Sequence, residues 1–281
     1  MIAVIFGLVT ALSFAVSSLV ASRAVRMISQ LSVVAWAMTI GAVVAVPVIA
    51  LGPQGDVAPA QFVRLGFAGV LVVVGLALGW GAFRFGKVAV VTPILACEGA
   101  IAAILATLTG EQLTPVAAGL LTVIAIGVVV SAIAPDPHPL DHEEPVKAVL
   151  MATGAAFAFG ISIFLLGKLS SELPLGWVLI GPRVAGVILL LVPLFFLRKL
   201  EFNKKVAPYL LVLGISELIG YVGLYFGSKV SVAVTAVVAS QTALIAGLLA
   251  YFLFRERLGK WQLIAAGVLL VSVSSLAWVM G

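Results

Sequence analysis

Charge is scarce in this chain: of 281 residues, 10% are charged and 63% are apolar, with a mean hydropathy of +1.28. So few charges cannot cover the wet surface of a soluble fold, which excludes a water-exposed globular protein. A single cysteine, Cys97, excludes an intrachain disulfide, and the sole asparagine, Asn203, is followed by two lysines and forms no glycosylation sequon. Both histidines, His138 and His142, and all three aspartates, Asp56, Asp136 and Asp141, lie outside the apolar runs. No GxSxG, HExxH or P-loop string occurs, so an intramembrane serine, aspartyl or metallo-protease is excluded, and no motif calls for a cofactor. The chain reads as a non-enzyme. No run is arginine-rich enough for a voltage sensor, and no loop has the pattern of a carbonyl selectivity filter.

What the chain has in abundance is apolar length. Crossing roughly 30 Å of hydrocarbon as helix takes about 20 residues. Ten such runs are expected, at about 2–22, 31–51, 65–83, 88–109, 115–133, 147–167, 175–197, 206–226, 230–254 and 260–279. The first run lacks a basic leader and a small-x-small cleavage site, so it reads as a structural helix.

The runs repeat. SFAVSSLVASR, from Ser13 to Arg23, returns 145 positions later as AFGISIFLLGK, from Ala158 to Lys168, and the same offset carries Glu111 onto Glu256. Five spans in each copy is an odd number, so the second copy must cross the membrane upside down. The fold class expected is an all-α membrane protein of ten transmembrane helices in two inverted five-helix repeats, the plan of a secondary transporter. The first repeat occupies 1–133 and the second 147–281. The segment 134–146 between them is rich in proline and acid. His138, His142, Asp136, Asp141, Glu143 and Glu144 could ligate a divalent ion, but a proline-rich solvated tether is the plain reading and no metal site is expected.

The basic residues sort by loop. Twelve of the sixteen (Arg23, Arg26, Arg84, Lys87, Lys147, Arg198, Lys199, Lys204, Lys205, Arg255, Arg257 and Lys260) follow odd-numbered spans. The connections after spans 2, 6 and 8 contribute only Arg64, Lys168 and Lys229. The positive-inside rule then puts the odd loops in the cytoplasm and both termini on the other side of a cell, in bacteria the inner, membrane. A basic collar beside anionic lipid accounts for the net charge of +5, and no nucleic-acid partner is implied.

Three charges sit well inside spans: Glu98, Arg183 and Glu217. A charge at that depth costs several kcal/mol, about 2.5–3.5 on insertion scales, so each should face the bundle interior or a watery cavity. A carboxylate there can titrate or hold a cationic group, and the planar guanidinium can hold an anionic one; alternatively Arg183 closes a structural ion pair with a glutamate. Aromatics are the candidate cavity lining: Phe14, Trp36, Trp80, Phe157, Phe159, Tyr221 and Tyr225. Tyr221 and Tyr225 follow Glu217 at helical spacing and share its face. Gly75 with Gly79, and Gly223 with Gly227, have the small-xxx-small spacing of close helix packing. At the 145-residue offset Glu98 matches Ala243, Arg183 matches Met38 and Glu217 matches Val72, so all three intramembrane charges fall where the copies differ.

The stretches FGKVAVVTPILACEGAIAAILATLTGEQLTPVAAG and FGSKVSVAVTAVVASQTALIAGLLAYFLFRERLGKWQLIAAG resemble the last three helices of the EamA repeat of the drug/metabolite transporter superfamily. GEQLT, ending at Thr114, and RERLG, ending at Gly259, stand where such repeats carry a GERL-type string. Arg23 and Lys168 match the basic residue that closes the first helix of each repeat. The proline that such repeats carry some dozen residues before the glutamate is absent, with Glu98-Gly99 in its place in one copy and Ala243 in the other. Family members also often run with the N-terminus inside, against the charge bias here. The resemblance implies a transporter of a small polar or amphipathic metabolite in a lipid bilayer, working by alternating access. Amino acids are the best-fitting class, with Arg183 on the carboxylate, Glu98 or Glu217 on the ammonium, and protons as a candidate coupling ion. Glu111 and Glu256, at the membrane interface, are expected to cap or to pair with Arg255 and Arg257. The alternatives are a proton-antiporting multidrug exporter, a sugar or nucleotide-sugar exchanger, and a non-transporting membrane scaffold.

Overall fold

A helix that meets lipid on one side and protein on the other cannot sort its residues by polarity, and here it sorts them by size. In a computed structural model that describes residues 1–53, 55–110 and 144–242, with scattered positions beyond them, every regular element is helical. Helix α1 (Ile2–Ala24) buries Ala3, Gly7, Ala11, Ala15 and Ser18, and turns Ile2, Ile5, Leu8 and Leu12 outward. Small interior residues let backbones approach closely, while large aliphatics face lipid tails at no hydrophobic penalty.

The chain continues through α2 (Gln30–Leu51), α3 (Pro59–Phe85), α4 (Val88–Leu95), α5 (Cys97–Leu108), α6 (Pro145–Ser170) and α7 (Leu175–Gly186). A π-helical turn, Val187–Leu191, joins α7 to the short α8 (Val192–Phe196), and α9 (Ala207–Ser228) and α10 (Val232–Ala239) follow. Ser29 caps α2, Ser231 caps α10, and Pro59 and Pro145 open α3 and α6, where a missing N–H is no loss. Gly110, at φ 113°, follows the end of α5 in a conformation that favours glycine.

Seven described helices are long and apolar enough to cross a membrane, when α4 and α5 are taken together and the stretch from α7 to α8 as one. The expected spans 115–133 and 260–279 are described only at scattered positions, and 230–254 mainly at its start, as α10. Several boundaries differ from expectation. The third helix begins at Pro59 rather than 65, so Arg64 lies within it. The fourth span is broken at Ala96. The linker expected over 134–146 gives way to helix at Pro145, because proline at the first helical position is pre-set for it; its residues 134–143 lie outside the described ones.

Helices of the two copies interleave. Helix α1 packs on α9 and α3 on α6, each pairing the first helix of one copy with the third of the other; α2 packs on α7, and α5 on α10. The pairing is reciprocal at single residues. Phe14 fills the space over Gly220 and Phe159 the space over Gly75; Arg183 lies against Gly41 and Met38 against Gly186; Ala185 lies over Gly69 and Ile40 over Gly214. In each case the 145-residue offset turns one contact into the other. Gly79 and Gly227 are likewise close-packed, against Leu95 and Ala155, and against Thr235.

Polar contacts clasp both ends of the bundle. At one end the Ser29 amide donates to the Glu201 carboxylate at 2.7 Å, the Glu201 amide donates to Ser32 Oγ at 3.0 Å, and Trp36 Nε1 donates to the Glu201 carbonyl at 3.1 Å. The Glu144 amide donates to the Phe85 carbonyl at 2.8 Å. These contacts tie the connections after α1 and α8, and the chain after α3 to the start of α6. Exposed Arg23, Arg26, Arg84, Lys147, Arg198, Lys199, Lys204 and Lys205 therefore share one end. At the other end Arg64 forks onto Glu172 at 2.9 and 2.6 Å, Gln61 Nε2 donates to Glu172 at 3.1 Å, and Trp177 Nε1 donates to the Gly55 carbonyl at 3.3 Å.

Two outcomes follow. Gly75→Val and Gly220→Val should each destabilise the protein by about 1–3 kcal/mol through overpacking, seen as a lower melting temperature in detergent. Gly66→Val, where nothing lies within 4 Å of a new Cβ, should leave it unchanged; equal melting for all three would contradict the reciprocal packing. The Glu172 carboxyl is held below the usual carboxylate range, chiefly by its hydrogen bonds from Arg64 and then Gln61. A carboxylate depressed on folding adds stability above its unfolded pKa, about 4.3, and loses it as pH falls through the folded value. Glu172→Gln should cost under about 1 kcal/mol at neutral pH, because the pair is partly exposed, and the difference should vanish in acid; a pH-independent gap would contradict the assignment.

Candidate functional site

The reciprocal phenylalanines frame a cavity between the copies. Phe14 and Ser18 from α1, Leu76 and Trp80 from α3, Thr92 and Leu95 from α4, and Phe159 and Ile163 from α6 line it. Glu98 from α5 and Glu217 and Tyr221 from α9, with Ala96 and Thr242, complete the described wall. Its volume is about 50 Å³, room for on the order of three or four waters, and both carboxylates are buried against it. Glu98 is 8% exposed and Glu217 7%. Ser17, hydrogen-bonded to Ser216 at 2.8 Å, lies beside the Glu217 carboxylate.

Glu98 reaches the cavity because the fourth span is interrupted. Helix α4 stops at Leu95 and α5 restarts at Cys97, so Glu98 stands in the first turn of α5, at the positive end of that helix's dipole. Gly99 packs against the Ala236 carbonyl and Ser240, where α10 also ends. Ala96 and Gln241 correspond at the repeat offset, so both copies interrupt this helix at the same place and the two interruptions meet beside the cavity. The proline missing from its usual position does not prevent the break.

Arg183 stands one residue from this chamber. It follows Pro182 in α7, is 1% exposed, and donates from Nη1 to the Leu179 carbonyl at 2.7 Å. Its guanidinium carbon lies 4.8 Å from the centre of the Tyr221 ring, and the edge of Phe14 meets the same ring at 5.6 Å between centroids. No ion pair joins Arg183 to Glu98 or Glu217 within 4.0 Å, which corrects the structural ion-pair reading. Its Nη2 is buried without a hydrogen-bond partner.

Six of the ten expected binding residues thus share one cavity: Phe14, Trp80, Glu98, Phe159, Glu217 and Tyr221. Arg183 lies behind Tyr221. Tyr225 is spent elsewhere, its hydroxyl donating to the Leu173 carbonyl at 3.0 Å, and Trp36 is at the membrane edge on Glu201. Phe157, 56% exposed, faces outward. Arg23 and Lys168 sit in the last turns of α1 and α6, and Glu111 and Glu256 lie outside the described residues. Sequence reasoning missed Ser18, Thr92 and Thr242, small hydroxyls that gave no local signal. No group of His, Cys, Asp and Glu able to hold a metal occurs among the described residues. A larger groove of about 380 Å³ between α3 and α7, lined by Phe62, Gly66, Trp177 and Val184, carries no charge on its walls.

Comparison with known proteins agrees with this architecture. No curated protein matches the chain by sequence. A solved crystal structure, described only as that of a protein, is similar over 99% of both chains, with a TM-score of 0.74 at 18% identity, and shares the fold. The profile of the EamA-like transporter family matches twice, over residues 1–133 and 146–278. With apolar helices that suit a bilayer and a family match over almost its whole length, this chain is a multi-pass membrane protein and belongs to the EamA-like transporter family.

Proposed function

We propose that the protein carries a small amphipathic metabolite bearing an ammonium group, amino acids being the best-fitting class, through the cavity between its two copies. The observation that carries this reading is the lining: two buried carboxylates and four aromatic rings, with no basic side chain among the described wall residues. Carboxylates in a low-dielectric chamber attract a cation strongly, and aromatic faces add cation–π and apolar contact. The reciprocal packing supports two inverted five-helix halves rocking about this chamber, since a two-fold relation lets one closed end mirror the other. Ten helices, an inner-membrane location and termini on the non-cytoplasmic side complete the proposal, the last resting on the eight basic residues gathered at one end.

A second reading has its own support. The same wall suits a lipophilic cation exchanged for protons, because a carboxylate can release one to bind the other. A sugar or nucleotide-sugar exchanger is disfavoured, as two carboxylates on the wall neither match a neutral sugar nor attract a phosphate. A scaffold gains nothing from two buried acids.

Transport into proteoliposomes, assayed with a panel of amino acids, amines and lipophilic cations with and without an imposed pH gradient, tests both. Glu98→Gln and Glu217→Gln should each slow uptake by about tenfold or more, the effect of losing a charge-assisted bond, and Glu111→Gln should not. Equal activity in all three would remove the site. Stimulation of lipophilic cations alone by the gradient would favour the second reading. In a Cys97→Ala background, an impermeant thiol reagent applied to intact cells should label Lys229→Cys and spare Lys204→Cys; the reverse would invert the topology.

A further inference from the structure

Arg183 has more binding capacity than its surroundings use. A guanidinium offers five N–H donors; this one, 1% exposed, donates from Nη1 to Leu179 and has Nη2 buried without an acceptor. A buried donor left unpaired carries its whole desolvation cost, so such groups in native proteins usually point to a missing partner. Neither Glu98 nor Glu217 supplies one.

Packing does not explain the arginine. In the other copy the equivalent slot is filled by Met38, whose side chain lies over Gly186 just as Arg183 lies over Gly41. An uncharged chain of similar length therefore fits this slot. The charge itself is what the second copy adds.

What separates this charge from the chamber is one ring. Tyr221 lines the chamber, while its ring also carries the guanidinium at 4.8 Å. With Tyr221 in place the chamber holds about 50 Å³, too little for a metabolite; a swing of Tyr221 would enlarge the chamber and uncover the guanidinium that lies on its ring. We propose that Arg183 is a carboxylate-binding subsite shuttered by Tyr221, so that the substrates are zwitterions held by ammonium at Glu98 and Glu217 and by carboxylate at Arg183. This rests on the reading of the chamber as the transport site, and it selects α-amino acids over the corresponding amines.

The test compares ligands that differ only by the carboxylate: leucine with 3-methylbutylamine, and phenylalanine with 2-phenylethylamine. Binding to the full-length protein in detergent is measured by calorimetry. The wild type should prefer at least one amino acid over its amine by about 10- to 100-fold, the worth of a charge-assisted hydrogen bond. Arg183→Met, which copies the residue of the other repeat, should erase that preference while leaving amine affinity and melting temperature unchanged. Tyr221→Leu, which removes the shutter, should keep the preference. An amino-acid preference that survives in Arg183→Met, or a wild type that binds amines as tightly as amino acids, overturns the subsite but leaves the chamber. Loss of both ligand classes in Arg183→Met at an unchanged melting temperature also overturns it, since the arginine would then act on the whole site. If wild-type protein binds no amine and no amino acid, the chamber reading itself fails.

Discussion

The architecture depends on a pair of close approaches, Phe14 over Gly220 and Phe159 over Gly75. In lipid there is no hydrophobic force to drive helices together, so association relies on intimate van der Waals contact, and glycine opposite a large ring supplies it. Because the first helix of each copy meets the third helix of the other, both contacts lie between copies. They bring α1, α3, α6 and α9 together, and the two rings that fill the glycine notches are also walls of the chamber. Packing and site are the same contacts seen from two sides.

Upon this reciprocity the charged residues are superimposed unequally. Met38 and Arg183 occupy matched slots, and Glu98 and Glu217 match an alanine and a valine in the opposite copy. The frame can thus be symmetric enough to present alternate faces while its interior chemistry is one-sided. Burial of two acids and one guanidinium is unfavourable for stability alone, since desolvation outweighs attraction unless partners are well placed. Their arrangement makes sense as binding capacity, with the acids in the chamber and the arginine behind the ring of Tyr221.

Much of this was legible in the sequence. Apolar length gave the helices and the 145-residue echo gave the two copies, because both signals are local or self-referential. The rarity of charge inside spans picked out Glu98, Arg183 and Glu217, and Phe14, Trp80, Phe159 and Tyr221 joined two of them as expected lining. What could not be read depended on distant partners. Tyr225 shares the face of Glu217, but its hydroxyl finds Leu173 first; Trp36 is drawn to Glu201 at the bundle end, 165 positions away. The break at Ala96 gave no signal in hydropathy, because one glutamate does not end an apolar run of span length, and neither did the π-helical turn after Gly186, which lies in uninterrupted apolar sequence. Helix faces were equally hidden, since interior and lipid sides differ in side-chain size rather than polarity.

The central claim, that the chamber between the copies is where substrate binds, is tested most directly by a cryo-electron microscopy structure of the protein with a bound amino acid. The account predicts density between Phe14 and Phe159 against Glu98 and Glu217, with Tyr221 displaced. Density confined to the groove between α3 and α7, with the chamber closed and empty, would contradict it.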